Sequence, residues 1–285
     1  MSESMKGKIC IITGANSGIG KATALGLAKL DAHVVMLCRD QSRGEEALGD
    51  IITVSGNKSI DLFLADLSSQ DSIRQFVKEF QRKYDKLHVL INNAGVNPSK
   101  RYETVDGLEK AFAINTLAPF LLTNLLLPTL KNCVPARVIN VASAVQSKSI
   151  NFNNLQFEKH FRSWKAYSQS KTALILLTYE FARRLNSSGI TVNCLHPGAV
   201  KSNITQDYKG IIKIFTKLLF SFAKSPEKGA ETSIYLASSP DVENISGKYF
   251  IDKKEAKSSS ITYDQSIAKQ LWDVSVKLTH VDFKN

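Results

Sequence analysis

Short apolar runs alternate along the chain with longer segments in which apolar residues recur at helical spacing. A continuous apolar run of about five residues is typical of a strand that is buried on both faces. The runs that predict strands are Ile9–Ile12, His33–Leu37, Ile60–Leu64, Leu87–Ile91, Arg137–Val141 and Ile190–Leu195. The segments that predict helices are Lys21–Leu30, Gln41–Val54, Ser69–Tyr84 with Ser69 as its cap, Val105–Leu130 and Trp164–Leu185.

Strands that alternate with helices indicate an α/β fold, in which a doubly wound parallel sheet of the Rossmann-like type carries helices on both faces. The chain has 285 residues, of which 43% are hydrophobic and 22% charged, enough to bury a large core. We predict a single domain over residues 1–285. Its parts are a core for cofactor binding and catalysis over 7–200, a substrate lid helix over 203–225, and C-terminal helices with a last strand over 226–285.

Charge, cysteines and apolar run lengths narrow the classes of function. The formal net charge of +11 comes from Lys and Arg residues spread widely without an aromatic-interleaved motif, so we expect a solvated basic surface and no nucleic-acid partner. The four cysteines form no C-x-x-C pair, so we expect reduced thiols and no metal site. Because the sequence lacks a signal-peptide core and any uninterrupted apolar run of about 18 residues, the expected location is the cytoplasm.

The stretch from Thr13 to Gly20 places glycines between the first strand and the first helix. Gly14 allows a tight turn, Gly18 a close approach of ligand to backbone, and Gly20 close packing of the helix on the strand. Such a helix start offers free N–H groups to a phosphate, although a plain strand-to-helix turn is the alternative. The candidate cofactor-binding residues of this loop are Gly14, Asn16, Ser17, Gly18, Ile19 and Gly20.

The residues after the second strand bear on the choice of cofactor. An acidic side chain at this position favours NAD, whereas an arginine accommodates the 2′-phosphate of NADP. The chain has Arg39 here, followed by Asp40, and NADP(H) is therefore the favoured cofactor. Asp40 is either a ribose ligand or the cap of the next helix.

Two further strand ends offer polar groups to a cofactor. Asp66 and Leu67 follow the third strand, where a carboxylate and a backbone N–H could meet the adenine or simply turn the chain into a loop. The fourth strand ends in Asn93-Ala94-Gly95, in which small residues allow the backbone to lie against a ribose and the nicotinamide ring. A turn is again the alternative.

Tyr167 and Lys171 are four residues apart and share one face of a predicted helix. A lysine charge roughly 4 Å from a phenol would lower the phenol pKa by on the order of three units before desolvation opposes it. A tyrosine so tuned can give a proton to a carbonyl oxygen, or take one from an alcohol, while a hydride is transferred. Ser143, after the fifth strand, would stabilise the same oxygen as charge develops. The alternative is an unrelated surface pair.

Together, these motifs resemble those of the short-chain dehydrogenase/reductase family, in the same order along the chain. They are Thr13-Gly14-x-x-x-Gly18-x-Gly20, Asn92-Asn93-Ala94-Gly95, Asn115, Ser143, Tyr167-x-x-x-Lys171 and Pro197-Gly198. The resemblance implies a nicotinamide cofactor that also contacts Tyr167 and Lys171, and a tetrad in which Asn115 supports a proton-relay water near Lys171. It further implies that the nicotinamide is lined by Pro197, Gly198, Val200 and Ser202.

A narrower likeness is to the retinol dehydrogenases of this family that prefer NADP. It is carried by Cys38-Arg39-Asp40, the insert over 151–158 and Ser246-Gly247-Lys248-Tyr249-Phe250. One departure is Ala142, which replaces the first of a usual serine pair and leaves the catalytic hydroxyl in place. The implied substrate is a small hydrophobic carbonyl compound or alcohol.

The segment 209–223 has an apolar helical face and lysines on another face. We expect it to cover an apolar substrate as a lid; the alternatives are peripheral contact with an anionic membrane surface, or a helix packed on the core. The long helices around Leu117 and Leu174 could pair subunits in an oligomer or belong to the core.

The sequence therefore predicts an NADP(H)-dependent oxidoreductase that interconverts a hydrophobic alcohol and its aldehyde or ketone, retinal-like or lipid-derived. Tyr167 is the expected acid and base. One alternative is a nucleotide-binding regulatory or membrane-surface protein without turnover. Another is a sugar-nucleotide epimerase, which also uses a Tyr-Lys pair.

Overall fold

A computed structural model describes residues 3–200 and 224–281 of the chain. Its strands are β1 Ile9–Thr13, β2 His33–Cys38, β3 Ile60–Leu64, β4 Val89–Asn92, β5 Ala136–Val141, β6 Ile190–His196, β7 Tyr249–Ile251 and β8 Lys254–Ala256. They form one eight-stranded sheet in the order β3-β2-β1-β4-β5-β6-β7-β8. Strands β1 to β7 are parallel, and β8 is antiparallel to β7. The predicted doubly wound parallel sheet is confirmed.

Helices cover both faces of the sheet because each face is apolar. They are α1 Gly18–Ala28, α2 Gln41–Ser55, α3 Gln70–Lys83, α4 Lys110–Lys131, α5 Ser163–Arg184, α6 Pro226–Ser238 and α7 Gln265–Thr279. One core cluster packs α1, α2 and α6 against the sheet. The other packs α3, α4, α5 and α7 against its opposite face. Each strand therefore ends at an edge where loops from both layers meet.

The predicted start of helix α4 at Val105 is wrong, because the helix begins at Lys110. The chain turns before it, where the N–H of Thr104 bonds to the carbonyl of Leu108 at 2.8 Å. Val105 is 85% exposed and precedes the helix, so its apolar side chain does not belong to a buried helix face. The carboxylate of Glu109 accepts the N–H groups of the first helical turn and fixes the start there.

In the described part of the chain, α4 is the one helix long and apolar enough to cross a membrane. Its apolar window is 89% buried inside the protein. The helix is therefore packed as part of the core beside α3 and α5.

At the β3 edge of the sheet, three polar side chains surround Asp61. Its carboxylate lies 2.6 Å from Nζ of Lys83 and 2.6 Å from Nε2 of His33, and it accepts the hydroxyl proton of Tyr84. Burial opposes ionisation of Asp61, but these hydrogen bonds outweigh it and lower the pKa to about 2. The carboxylate therefore stabilises the folded state while it is ionised.

We expect Asp61→Asn to lower the free energy of unfolding by about 2 kcal/mol at pH 7. The pKa is lower in the folded than in the unfolded state, so this stabilisation is complete above about pH 4 and is lost as pH falls towards 2. Urea unfolding of both proteins should give a difference at pH 3 about half that at pH 7. The exposed Glu46→Gln serves as control, with a change below about 0.5 kcal/mol. A difference between the Asp61 variant and the wild type that does not depend on pH would contradict this account.

Candidate active site

The loop between β1 and α1 has the backbone geometry of a phosphate-binding loop. Gly14 and Gly18 have φ values of +66° and +53°, in the left-handed region that favours glycine. A Cβ added at Gly18 would meet no atom within 4 Å, so this side of the backbone is open. Ser17 caps α1 without a side-chain bond to the helix, and the first turn has no acidic residue. The first N–H groups of α1 can therefore donate hydrogen bonds to an anion.

Gly20 brings α1 into contact with β1 and with the loop after β4. A Cβ at Gly20 would lie 2.3 Å from the carbonyl oxygen of Gly14 and 2.5 Å from Nδ2 of Asn93. Nδ2 of Asn93 donates to the carbonyl of Thr13 at 2.8 Å, and the Thr13 hydroxyl accepts the N–H groups of Asn93 and Ala94 at 2.9 Å. The Asn93 amide thus joins two strands. Its contact with a cofactor stays a prediction.

The end of β2 carries a second arginine that sequence reasoning missed. Arg39 and Arg43 are both exposed, and the charge of Arg43 acts on the buried thiol of Cys38. That sulfur also accepts N–H groups from the glycine loop, so Arg43 lies beside this loop. Arg43 lies in the first turn of α2 and Arg39 precedes that helix, so helical spacing does not link the two arginines in the sequence. Asp40 accepts the N–H of Arg43 at 2.9 Å and is the cap of α2.

Asp66 turns the chain after β3. Its Oδ1 accepts the N–H of Ser68 at 2.9 Å and the Ser68 hydroxyl at 2.7 Å. Leu67 is half-buried and packs against the core. The predicted contact of these residues with adenine remains a prediction, and the loop role is what the hydrogen bonds show.

Tyr167 and Ser143 meet at the carboxyl edge of the sheet. Tyr167 lies on α5, and the side chain of Ser143, which follows β5, is close enough to its phenol to act on the phenol pKa. Oγ of Ser143 accepts the N–H of Val145 at 3.0 Å, which leaves the serine proton to donate. Burial raises the pKa of Tyr167, and the Ser143 side chain partly opposes that rise.

Lys171 lies one helical turn beyond Tyr167 and is 3% exposed. Its Nζ donates to the carbonyl of Val141, at the end of β5, at 2.7 Å. Burial lowers its pKa to about 8. The expected effect of the lysine charge on Tyr167 left desolvation out, and at this site desolvation of the phenol is the larger effect and raises the pKa.

Asn115 lies in a π-helical turn, Ala113–Leu117, within α4. Its Nδ2 donates to the carbonyl of Val96 and to the hydroxyl of Ser170, both at 2.9 Å, and its Oδ1 accepts the N–H of Val96 at 2.8 Å. Its peptide carbonyl has no N–H donor four residues on, because that residue is Pro119. Its role in holding a relay water stays a prediction.

Gly95 separates Asn115 from Lys171. A Cβ at Gly95 would lie 3.4 Å from Oδ1 of Asn115 and 3.2 Å from Nζ of Lys171. Only a glycine therefore leaves the backbone after β4 free to approach both groups without displacing them. The structure thus brings together all four residues of the predicted tetrad, from β5, α4 and α5.

The loop after β6 contains Pro197 and Gly198. A Cβ at Gly198, where φ is +88°, would lie 3.0 Å from Cδ of Lys224. The N–H of Lys224 donates to the carbonyl of Ala199 at 2.7 Å, and its Nζ pairs with Asp252 at 2.6 Å. These bonds hold the loop that is expected to line the nicotinamide.

Val200 is buried, and its side chain and that of Ile19 both lie beside Gly229 of α6. The glycine loop and the loop after β6 therefore meet across that helix. Ser202 and the segment 209–223 lie outside the described residues. Among the described residues, no group of three or more His, Cys, Asp and Glu could hold a metal ion.

Comparison with known proteins agrees with this geometry. Residues 8–210 match the family model for short chain dehydrogenases. The chain belongs to this family. It is 44% identical to human retinol dehydrogenase 14 and 39% identical to human polyprenol dehydrogenase; these alignments cover 95% and 96% of this chain and 86% of each relative. The similarity is thus to the retinol dehydrogenase branch of the short-chain dehydrogenases, and the family is one of oxidoreductases that use a nicotinamide cofactor.

Solved structures show the same fold. An uncharacterised protein from Mycobacterium paratuberculosis superposes with a TM-score of 0.81 at 32% identity, covering 100% of this chain and 97% of that one. RhlG from Pseudomonas aeruginosa, in a complex with NADP at its active site, has a TM-score of 0.70 at 28% identity, covering 87% of this chain and 95% of that one. The described part of the chain thus has the fold of these solved structures.

We expect Gly20→Ala to destabilise the protein by about 2 kcal/mol and to abolish detectable NADPH binding, because the new methyl group would overlap Gly14 and Asn93. Gly49→Ala is the matched control: Gly49 lies exposed in α2, where a Cβ meets nothing within 4 Å, and alanine should stabilise the helix by about 0.5–1 kcal/mol. Urea unfolding and NADPH fluorescence measure the two effects. Tight NADPH binding by the Gly20 variant would contradict the proposed packing.

Proposed function

We propose that the protein is an NADP(H)-dependent oxidoreductase that interconverts a hydrophobic alcohol and its aldehyde or ketone, with a retinal-like or lipid-derived aldehyde as the leading substrate class. The observation that supports this best is the proximity of Tyr167 and Ser143, one helical turn from buried Lys171. Retinol and polyprenol, after which two relatives are named, are both apolar alcohols.

The residues of this chain suit proton transfer to a carbonyl oxygen. NADPH, when bound, supplies a hydride to the carbonyl carbon. As the electron pair of the C=O π bond moves to oxygen, Tyr167 gives that oxygen its phenol proton and the alcohol forms. The raised pKa keeps Tyr167 protonated at neutral pH, which is the form that reduction requires. The Ser143 hydroxyl stabilises the charge that develops on the oxygen.

Lys171 and Asn115 complete this arrangement. An ammonium group has three donors, and Lys171 uses one on Val141, which leaves two for ribose hydroxyls and a water. With a pKa of about 8, Lys171 is mostly protonated at pH 7. The Asn115 carbonyl could accept a hydrogen bond from the same water. A proton relayed through that water would then replace the one that Tyr167 gives to the substrate.

The preference for NADP(H) rests on two exposed guanidinium groups at the end of β2. Arg39 and Arg43 can reach a 2′-phosphate as planar donors of two hydrogen bonds each. Asp40 caps α2 through one carboxylate oxygen, which accounts for an acidic residue at this position without a ribose contact.

The preference for an apolar substrate rests on the side chains beside the tetrad. Trp164 is 61% exposed and lies one turn before Tyr167, on the stripe of α5 that also holds Lys171. Val145 is 50% exposed and two residues after Ser143. Large apolar side chains exposed at a reaction centre are suited to an apolar ligand.

The first experiment follows nicotinamide absorbance with NADPH and NADH against retinal, a medium-chain aldehyde and a steroid ketone. We expect faster turnover with NADPH, and a loss in Tyr167→Phe of more than about 100-fold because the proton donor is gone. Arg39→Ala should weaken NADPH binding by about 10–100-fold, the loss of a charge-assisted hydrogen bond, and leave NADH binding unchanged.

Each outcome of this experiment bears on the proposal. The fluorescence of bound NADPH shows whether the Tyr167 variant still binds the cofactor, which separates a lost proton donor from a lost fold. Tight NADPH binding without turnover of any carbonyl, or of any alcohol with NADP, would favour a regulatory protein of the same fold. A wild type that prefers NADH would contradict the role of Arg39.

We expect Trp164→Ala to raise the KM for retinal by about tenfold, because roughly 60 Å² of apolar contact would be lost. The KM for propanal, which cannot reach the indole from the tetrad, should stay within about twofold. The matched control is Val105→Ala, which removes an exposed apolar side chain from the loop before α4. Equal increases for both aldehydes would contradict a specificity role of Trp164.

A further inference from the structure

The loop that carries Ser143 is bonded to the C-terminal part of the chain. The peptide carbonyl of Ser143 accepts the hydroxyl of Tyr249 at 3.1 Å and Nε2 of Gln146 at 3.1 Å. Tyr249 lies on β7 and is 1% exposed. A carbonyl oxygen has two lone pairs, so two donors fix the plane of the peptide bond that follows Ser143.

Gln146 is itself fixed from the C-terminal side. Its Oε1 accepts the N–H of Ser259 at 2.6 Å, and the Ser259 hydroxyl donates to the carbonyl of Ser147 at 3.2 Å. The N–H of Ser147 donates to the hydroxyl of Thr172 on α5 at 2.7 Å. The loop is therefore held between the helix that carries Tyr167 and the segment after β8.

The orientation of this peptide matters for the Ser143 hydroxyl. Oγ accepts the N–H of Val145 and the Ser143 side chain acts on the phenol of Tyr167, so both interactions depend on the shape of this loop. A displacement of about 1 Å at a reacting group can cost about 100-fold in rate. The donors on the Ser143 carbonyl are thus placed to control a group that touches the substrate.

We propose that Tyr249 and Gln146 are positioning residues, which hold the Ser143 peptide so that its hydroxyl faces Tyr167 and the substrate oxygen. The inference rests on the proposed function for its kinetic readout. Tyr249 lies beyond residues 8–210, the part of the chain that matches the family model.

The test compares Tyr249→Phe, which removes one oxygen atom, and Gln146→Ala with the wild type in NADPH-dependent reduction of the best aldehyde. Each variant should lower kcat by about tenfold and leave the KM for NADPH within about twofold, because the glycine loop and α1 are untouched. Gln146 is partly exposed, so its variant still tests the inference if the Tyr249 variant folds poorly. Tyr84→Phe is the control: it removes a phenol hydroxyl that is hydrogen-bonded at the other edge of the sheet, and kcat should not change.

A double-mutant cycle separates positioning from general loss of structure. Ser143→Ala should lower kcat by about 100-fold or more. In that background, Tyr249→Phe should change kcat by less than about twofold, because the hydroxyl that it positions is gone. A tenfold loss in both backgrounds, or no loss in either, would overturn the inference.

Failure of the positioning inference can be distinguished from failure of the proposed function. A wild type that reduces no carbonyl compound would refute the proposed function alone. The positioning role is then decided by crystal structures of the wild type and Tyr249→Phe. A Ser143 hydroxyl turned away from Tyr167 in the variant supports the role, and an unmoved hydroxyl overturns it.

Discussion

The contact between Gly20 and the backbone of Gly14 is the constraint on which the rest of the site depends. It sets how closely α1 approaches β1, and therefore where the first N–H groups of that helix point. The Asn93 amide lies in the same contact and bonds to Thr13, so the loop after β4 is fixed by it as well. That loop continues to Gly95, against Lys171 and Asn115. The phosphate-binding and catalytic ends of the site are thus joined by adjacent backbone segments.

The chemistry of the tetrad is set by burial as much as by charge. Burial raises the pKa of Tyr167 and lowers that of Lys171, so each group is pushed towards its neutral form. The Ser143 side chain and the hydrogen bond to Val141 compensate part of that cost. A phenol that stays protonated beside a lysine that is still mostly charged at neutral pH is poised to donate. The same pair can accept a proton when the pH is higher, as alcohol oxidation requires.

The glycine loop expected to bind the cofactor lies in the N-terminal half of the chain, whereas residues of the C-terminal part support the loops after β5 and β6. Lys224 contacts Gly198, and Tyr249 and Ser259 hold the loop after β5. The strand β7 pairs with β6, which places these late residues at the same carboxyl edge. Residues from distant parts of the chain therefore meet at the carboxyl edge of the sheet, and no single motif forms it alone.

The sequence by itself determined six of the eight strands and most of the helices, because apolar periodicity is a local property, and it named the candidate tetrad through motif order. Tertiary structure alone decided where the motifs meet and which hydrogen-bonding groups of each side chain are already engaged within the protein. Asn93 and Asp66 are predicted as cofactor ligands, and folding brings Thr13 to Nδ2 of Asn93 and Ser68 to Oδ1 of Asp66. The balance between desolvation and charge at Tyr167 likewise depends on burial. Sequence spacing predicts which residues share a helix face, but only the packed fold shows how far that face is exposed to water.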